Sequence, residues 1–187
     1  MSRSMSALKR KPVITFSGPH GTGKTTYARA VAQEFNLKHL SIGGLFRQVA
    51  EKRGLTLLEL TRLAEEDGSI DRFIDDEARK EAEKGGVVID GQLSAWMAGE
   101  NALLKIYLTA PLPVRVKRIA ERDGVSLEEA EKATVERERA EKERYLRLYG
   151  IDVDDLSVYD LIVDTDLMPL EEMTATLKNI VRSVLES

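Results

Sequence analysis

Residues 13–35 read VITFSGPHGTGKTTYARAVAQEF, and this stretch decides the fold. Its centre, Gly18-Pro19-His20-Gly21-Thr22-Gly23-Lys24-Thr25, fits G-x-x-x-x-G-K-[ST] without adjustment. The β-rich run Pro12–Phe16 precedes it, and Lys24–Phe35 follows with Ala28, Val31, Ala32 and Phe35 on one helical face. Strand, glycine-rich turn and helix in that order make a phosphate-binding loop. The glycines let the backbone turn tightly, so that N–H groups converge on phosphate oxygens. The helix presents its free N–H groups and positive dipole end to the same anion. Gly18, Pro19, His20, Gly21, Thr22 and Gly23 form the expected cradle for ATP. Lys24 is expected to reach the β- and γ-phosphates, Thr25 to bind Mg²⁺, and Thr26 to lie near the α-phosphate. His20 reads as a loop residue rather than a catalytic base.

Outward from this loop, short apolar runs alternate with helical patterns. His39–Leu40, Val87–Asp90, Leu104–Leu108 and Asp160–Asp164 read as further strands. Helices are expected over 45–53, from Thr56, over 70–84, over 114–122, from Ser126 to about Leu148, and from Pro169 to the C-terminus. Thr56 with Glu59, and Ser126 with Glu129, have capping-box spacing. The pattern predicts an α/β fold: a five-stranded parallel sheet with helices on both faces. Asp90 ends its strand beside the loop, where an acid faces Mg²⁺ through water. Trp96 and Met97 read as core.

The 187 residues are 42% hydrophobic and 32% charged, with a net charge of -4, enough apolar content for the core of a single domain. The acidic balance argues against a nucleic-acid coat. The chain has no cysteine, which excludes disulfides, thiol catalysis and Cys-ligated metals, and its two histidines make a multi-histidine metal cluster an unfavoured reading. No segment approaches the ~18 consecutive apolar residues of a membrane span. Residues 1–11, with Arg3, Lys9, Arg10 and Lys11, read as a flexible basic tail rather than a signal peptide, and the chain as cytoplasmic.

A phosphate loop alone does not separate a GTPase, an ATPase motor and a small kinase. The guanine-reading pattern N/T-K-x-D is absent. Arg115, Arg118 and Arg122 share one helix face, as do Arg137, Glu141 and Arg144 on the next helix. From composition alone, a solvated helix explains ERERAEKER as well as a phosphate site does.

The segments GPHGTGKTT (18–26), SIGGLFR (41–47), LAEEDGSID (63–71), DGQLSAWMAGE (90–100), KIYLTAPLPVRVKRIAERDG (105–124) and RYLRLYGIDVDDLSVYDL (144–161) together resemble the short, archaeal-type cytidylate kinases, nucleoside monophosphate kinases of the P-loop kinase fold. The resemblance covers the chain from Val13 onward. It implies phosphoryl transfer from ATP to CMP, and also to dCMP, with Mg²⁺, by a monomer with no nucleic-acid or membrane partner. It implies that Ser41 and Arg47 hold the acceptor phosphate, that Arg137 and Glu141 hold the ribose, and that Arg144 reaches the phosphate. Lys24, Arg118, Arg122 and Asp90 would serve the transferring phosphoryl group and its metal. Residues 43–85 would form a monophosphate-binding segment and residues 118–140 a lid. Such kinases generally carry arginine after the acid-glycine pair, and here the residue is Gln92. Glutamine brings no charge to a phosphate, and Arg72 or Arg79 could compensate. Rival readings are a kinase for AMP, dTMP or shikimate, an ATP-binding assembly factor, and a nucleotide-binding chain that has lost turnover.

Overall fold

The computed structural model of the chain describes residues 11–187. The expected basic tail lies outside the described residues, except for Lys11. Five strands form: β1 (Val13–Ser17), β2 (Lys38–Ser41), β3 (Val87–Asp90), β4 (Leu104–Thr109) and β5 (Leu161–Asp164). All pair in parallel, in the order β2-β3-β1-β4-β5. The helices are α1 (Lys24–Glu34), α2 (Ile42–Lys52), α3 (Leu57–Glu66), α4 (Ser69–Lys84), α5 (Ser94–Ala98), α6 (Leu112–Asp123), α7 (Leu127–Tyr149) and α8 (Leu170–Leu185). This is the α/β architecture that the alternating pattern predicts.

Every residue of β1 and β3 is buried, because helices cover both faces of the sheet centre. On one face, Tyr27, Ala28 and Val31 of α1 and Met173, Leu177 and Val181 of α8 pack on Ile14, Phe16, Ile106 and Leu108. On the other, Ala78 and Ala82 of α4 join Leu93, Met97 and Ala98 against Val13, Val87 and Ile89. Met97 is buried in the core as expected, and Trp96 is half-buried against the same cluster, its ring meeting Tyr159 edge-on at 5.6 Å. Among the described residues no helix is long and apolar enough to cross a membrane.

Two local differences from the sequence reading have physical causes. Helix α2 begins at Ile42 rather than Leu45, because Ser41 Oγ accepts the Gly44 N–H and caps the turn ahead of the two glycines. Helix α5 was not expected. Five residues are too few to carry a helical period, and tertiary packing rather than propensity makes this turn. Both capping boxes form as read, at Thr56/Glu59 and Ser126/Glu129.

The strand order sets the site. Strand β1 is central, with Phe16 in register with Asp90 of β3 and Ser17 with Tyr107 of β4. The glycine loop therefore leaves the sheet between two neighbouring carboxyl ends, where parallel sheets place their ligands. Gly18 has φ +135, and a Cβ there would stand 2.1 Å from the Leu108 carbonyl oxygen, so only glycine lets the chain turn over β4.

Leu177 is fully buried between α1 and the sheet. Leu177→Ala is expected to cost about 2–5 kcal/mol, through lost transfer energy and the cavity it leaves. Denaturant unfolding of both proteins measures this, and a loss below that range would mean the α8 seam can collapse around the gap.

Candidate phosphate-binding site

The loop from Gly18 to Thr25 is held from behind and from above. Behind it, Arg115 of α6 is buried and its Nη1 donates to the His20 carbonyl at 2.9 Å, while Nε donates to the Ala110 carbonyl at 3.2 Å. Gly21 rests directly on this arginine: a Cβ at Gly21 would meet Arg115 Cβ at 2.9 Å. Arg118 reaches the Gly21 carbonyl at 3.4 Å and donates to Thr165 Oγ1 at 3.0 Å. Within the loop, Thr22 Oγ1 and Lys24 Nζ both donate to the Pro19 carbonyl, at 2.9 and 2.7 Å. Loss of hydration pulls the Lys24 ammonium down to about 8, against the opposing pull of Asp90, Glu141 and Glu138.

Three side chains converge on Asp90, which is 3% exposed at the end of β3. Thr25 Oγ1 at the start of α1 donates to Oδ1 at 2.9 Å, and Ser41 Oγ at the end of β2 lies 3.1 Å from the same oxygen. His39 Nε2 lies 2.6 Å from Oδ2. The expected metal ligands Thr25 and Asp90 are thus brought together. They are hard oxygen donors, which suit Mg²⁺. Among the described residues no group of three or more His, Asp or Glu side chains could hold a metal unaided, so such an ion would share its shell with phosphate oxygens.

From above, α7 points carboxylates at the loop. Glu138 Oε1 accepts the His20 backbone N–H at 2.9 Å and Arg115 Nη1 at 2.6 Å. Glu141 is buried; its Oε2 pairs with His20 Nε2 at 2.7 Å and accepts Gln92 Nε2 at 2.6 Å, and Oε1 accepts Arg137 Nε at 2.8 Å. Burial pushes the Glu141 carboxyl up, but His20 and Arg137 more than reverse this and hold it at about 2. Further along α7, Arg144 is 4% exposed with Nε 3.1 Å from Asp71 Oδ2 of α4. One turn on, Tyr149 donates to Asp75 at 2.6 Å, and burial pushes Asp75 up to about 6.

The structure thus gathers the expected residues in two hydrogen-bonded sets, Thr25 and Ser41 on Asp90 and Gln92 and Arg137 on Glu141, while Lys24 donates to the Pro19 carbonyl. Arg47 projects from α2 into solvent, and Arg144 would have to leave Asp71 to touch a phosphate. Arg122 forks onto its neighbour Asp123 in solvent, away from the loop. Arg79 pairs with Asp76 on α4, and no hydrogen bond joins it or Arg72 to Gln92; Glu141, which accepts Gln92, also accepts Arg137. Instead of filling the loop passively, the His20 ring bridges it to α7.

The cytidylate kinase-like family matches residues 13–167. The chain belongs to this family. It is 48% identical to the cytidylate kinase of Staphylothermus marinus over 174 residues, covering 93% of this chain and 96% of that one. It is 46% identical to the cytidylate kinase of Pyrococcus horikoshii over 170 residues, covering 91% and 88%. Among solved structures, shikimate kinase from Bacteroides thetaiotaomicron superposes with a TM-score of 0.63 at 17% identity, covering 94% of this chain and 99% of that one. That likeness concerns the fold alone, and the fold is that of the P-loop kinases.

Sequence reasoning did not single out Asp71, Glu138 or His39. Glu138 hides in the run ERERAEKER (136–144), where every residue but Ala140 is charged. Asp71 lies on a helix with five other acids, of which only Asp75 is also buried. His39 did carry a signal: it shares a strand face with Ser41, two residues on, beside the strand that ends in Asp90.

Removing one partner of the buried Arg144–Asp71 pair strands the other. Arg144→Met is expected to destabilise by about 3–5 kcal/mol at neutral pH. Burial already pushes the Asp71 carboxyl up, and loss of Arg144 removes an opposing pull. A raised acid binds more protons folded than unfolded, so the variant should lose stability, relative to the parent, as pH rises from 5 to 8. Urea melts across that range test it; a constant difference would mean Asp71 stays ionised without its partner.

Proposed function

We infer that this chain transfers the γ-phosphoryl group of ATP to CMP, giving ADP and CDP; it is an enzyme, a cytidylate kinase. The observation that carries this is its match, over nearly its whole length, to relatives named cytidylate kinase. The site's chemistry is consistent with it. The nucleophile is a phosphate oxygen, already anionic at neutral pH, so no general base is needed. What the reaction needs is two polyanions brought in line, with their charge neutralised and water excluded.

In this reading residues 18–26 hold ATP, and Lys24 lies on the β- and γ-phosphates. Arg118 steadies the loop from its back, and with Arg122 on the same helix it supplies charge toward the transferring group once α6 and α7 move. Mg²⁺, typical of such kinases, would be held by Thr25 and, through water, by Asp90, and it would neutralise charge between the phosphates. Ser41, Arg47 and Gln92 receive the acceptor phosphate, Arg137 and Glu141 the ribose, and Arg144 joins them when it leaves Asp71. Residues 43–85 are then the monophosphate-binding segment and 118–140 the lid, on one domain. dCMP is a second acceptor, and the enzyme works as a cytoplasmic monomer.

A coupled assay with ATP and each of CMP, dCMP, UMP, AMP, dTMP and shikimate tests the reading. CMP is expected to be the preferred acceptor. Release of phosphate with no acceptor product would instead favour an ATP-binding assembly factor.

Arg47→Ala should raise KM for CMP roughly 10- to 100-fold, from about 1.5–3 kcal/mol for a hydrogen bond to a charged group, with little change in KM for ATP. Steady-state kinetics with each substrate varied in turn decide it; an effect confined to ATP would reverse the two nucleotide sites.

Lys24 gives a pH dependence. Its ammonium titrates near 8 in the free enzyme, and bound phosphate would raise that value again. Above about pH 8 ATP binding should therefore take up a proton and weaken as pH rises. Calorimetry in two buffers of different ionisation enthalpy is expected to show uptake at pH 8.5, little at pH 6.5, and none in Lys24→Arg. Equal heats in both buffers at pH 8.5 would show that Lys24 stays charged throughout.

A further inference from the structure

Asp90 is the point where the halves of the site meet, and its two oxygens are held differently. Oδ1 takes both hydroxyls, Thr25 Oγ1 from α1 and Ser41 Oγ from the β2–α2 corner. Oδ2 has one side-chain contact among the described residues, His39 Nε2 at 2.6 Å. A carboxylate only accepts, so Nε2 carries the hydrogen and donates it. The contact follows from the register: His39 pairs with Val88 and Ser41 with Asp90, so both β2 side chains lie on the face from which Asp90 projects. The imidazole is largely buried, with 19% of its side chain exposed.

A carboxylate anchored through one oxygen still turns about Cβ–Cγ, because that torsion has a broad, roughly two-fold profile. Anchoring the second oxygen fixes the plane. We propose that His39 is a positioning residue of this kinase: it fixes the Asp90 carboxylate so that Oδ1 stays turned toward Thr25, the side on which Mg²⁺ carried by ATP would be met. The inference rests on the reading of Asp90 as an outer ligand of that ion. His39 touches no reacting atom. It acts on the metal through Asp90, as the partners behind metal ligands do, and loss of such a partner typically costs 10- to 100-fold in metal affinity or activity.

The decisive quantity is the tightening of ATP binding by Mg²⁺, read as the ratio of Kd in EDTA to Kd in Mg²⁺ by calorimetry on the whole chain without CMP. His39→Ala is expected to bind metal-free ATP like the parent and to lose about tenfold of that ratio. It should also need more free Mg²⁺ for half-maximal turnover. His39→Gln, whose amide can donate at a similar reach, is expected to restore most of both. A merely structural role for His39 would lower the melting temperature and weaken both forms of ATP alike, leaving the ratio intact, and that outcome overturns the proposal. So does a ratio that His39→Gln fails to restore. Asp90→Asn separates the premise from the inference. If it loses the ratio while His39→Ala keeps it, Asp90 acts on the metal and His39 does not position it. If Asp90→Asn keeps the ratio, the metal reading of Asp90 falls, and the positioning role with it.

Discussion

Positive charge crowded at one end of a parallel sheet is the constraint on which this structure depends. Lys24, Arg115, Arg137 and Arg144 all lie on or near the loop and the helix above it. Converging backbone N–H groups add to their charge. Unopposed, these groups would repel one another, and the buried ones would pay heavily for lost hydration. The chain answers with carboxylates of its own. Glu138 takes the His20 N–H and Arg115, Glu141 takes Arg137 and Gln92, and Asp71 takes Arg144. Arg115, Arg137 and Arg144 therefore each face a carboxylate, while Lys24 donates to the Pro19 carbonyl. In the proposed reading, a phosphate that reaches Arg137 or Arg144 would displace the carboxylate each now holds, so binding at those two arginines would be an exchange of partners.

Asp90 joins elements: one carboxylate touches the first turn of α1, the end of β2 and, through Ser41, the cap of α2. The start of α1 and the β2–α2 corner are thereby joined at a single carboxylate.

The sheet was legible because four of its strands are short, largely apolar runs and because G-x-x-x-x-G-K-[ST] marks a junction of strand and helix; β2, Lys-His-Leu-Ser, is polar at three of its four positions. The α7 face was legible only as a spacing, Arg137, Glu141 and Arg144, which a solvated helix would share. Which acids oppose which cations was not. Partner choice across α4, α6 and α7 is set by how the helices pack, and Asp71 and Glu138 look like their exposed neighbours until that packing is known. Short α5 escaped for a related reason, having a tertiary cause and almost no local one.

Helix α7 runs unbroken from Leu127 to Tyr149. At 1.5 Å per residue its first turn stands roughly 25 Å from Arg144. The buried pair with Asp71 sits near one end of this rod, and the turn to α6 sits at the other. In the proposed lid, this helix would act as a lever with its fulcrum near Arg144. A tilt of about ten degrees about Arg144 would sweep the α6–α7 turn through roughly 4 Å, while the groups nearest the pivot shift by a small fraction of that. Mechanical gain of this kind lets sub-ångström rearrangement of a few carboxylates register as a visible displacement at the periphery.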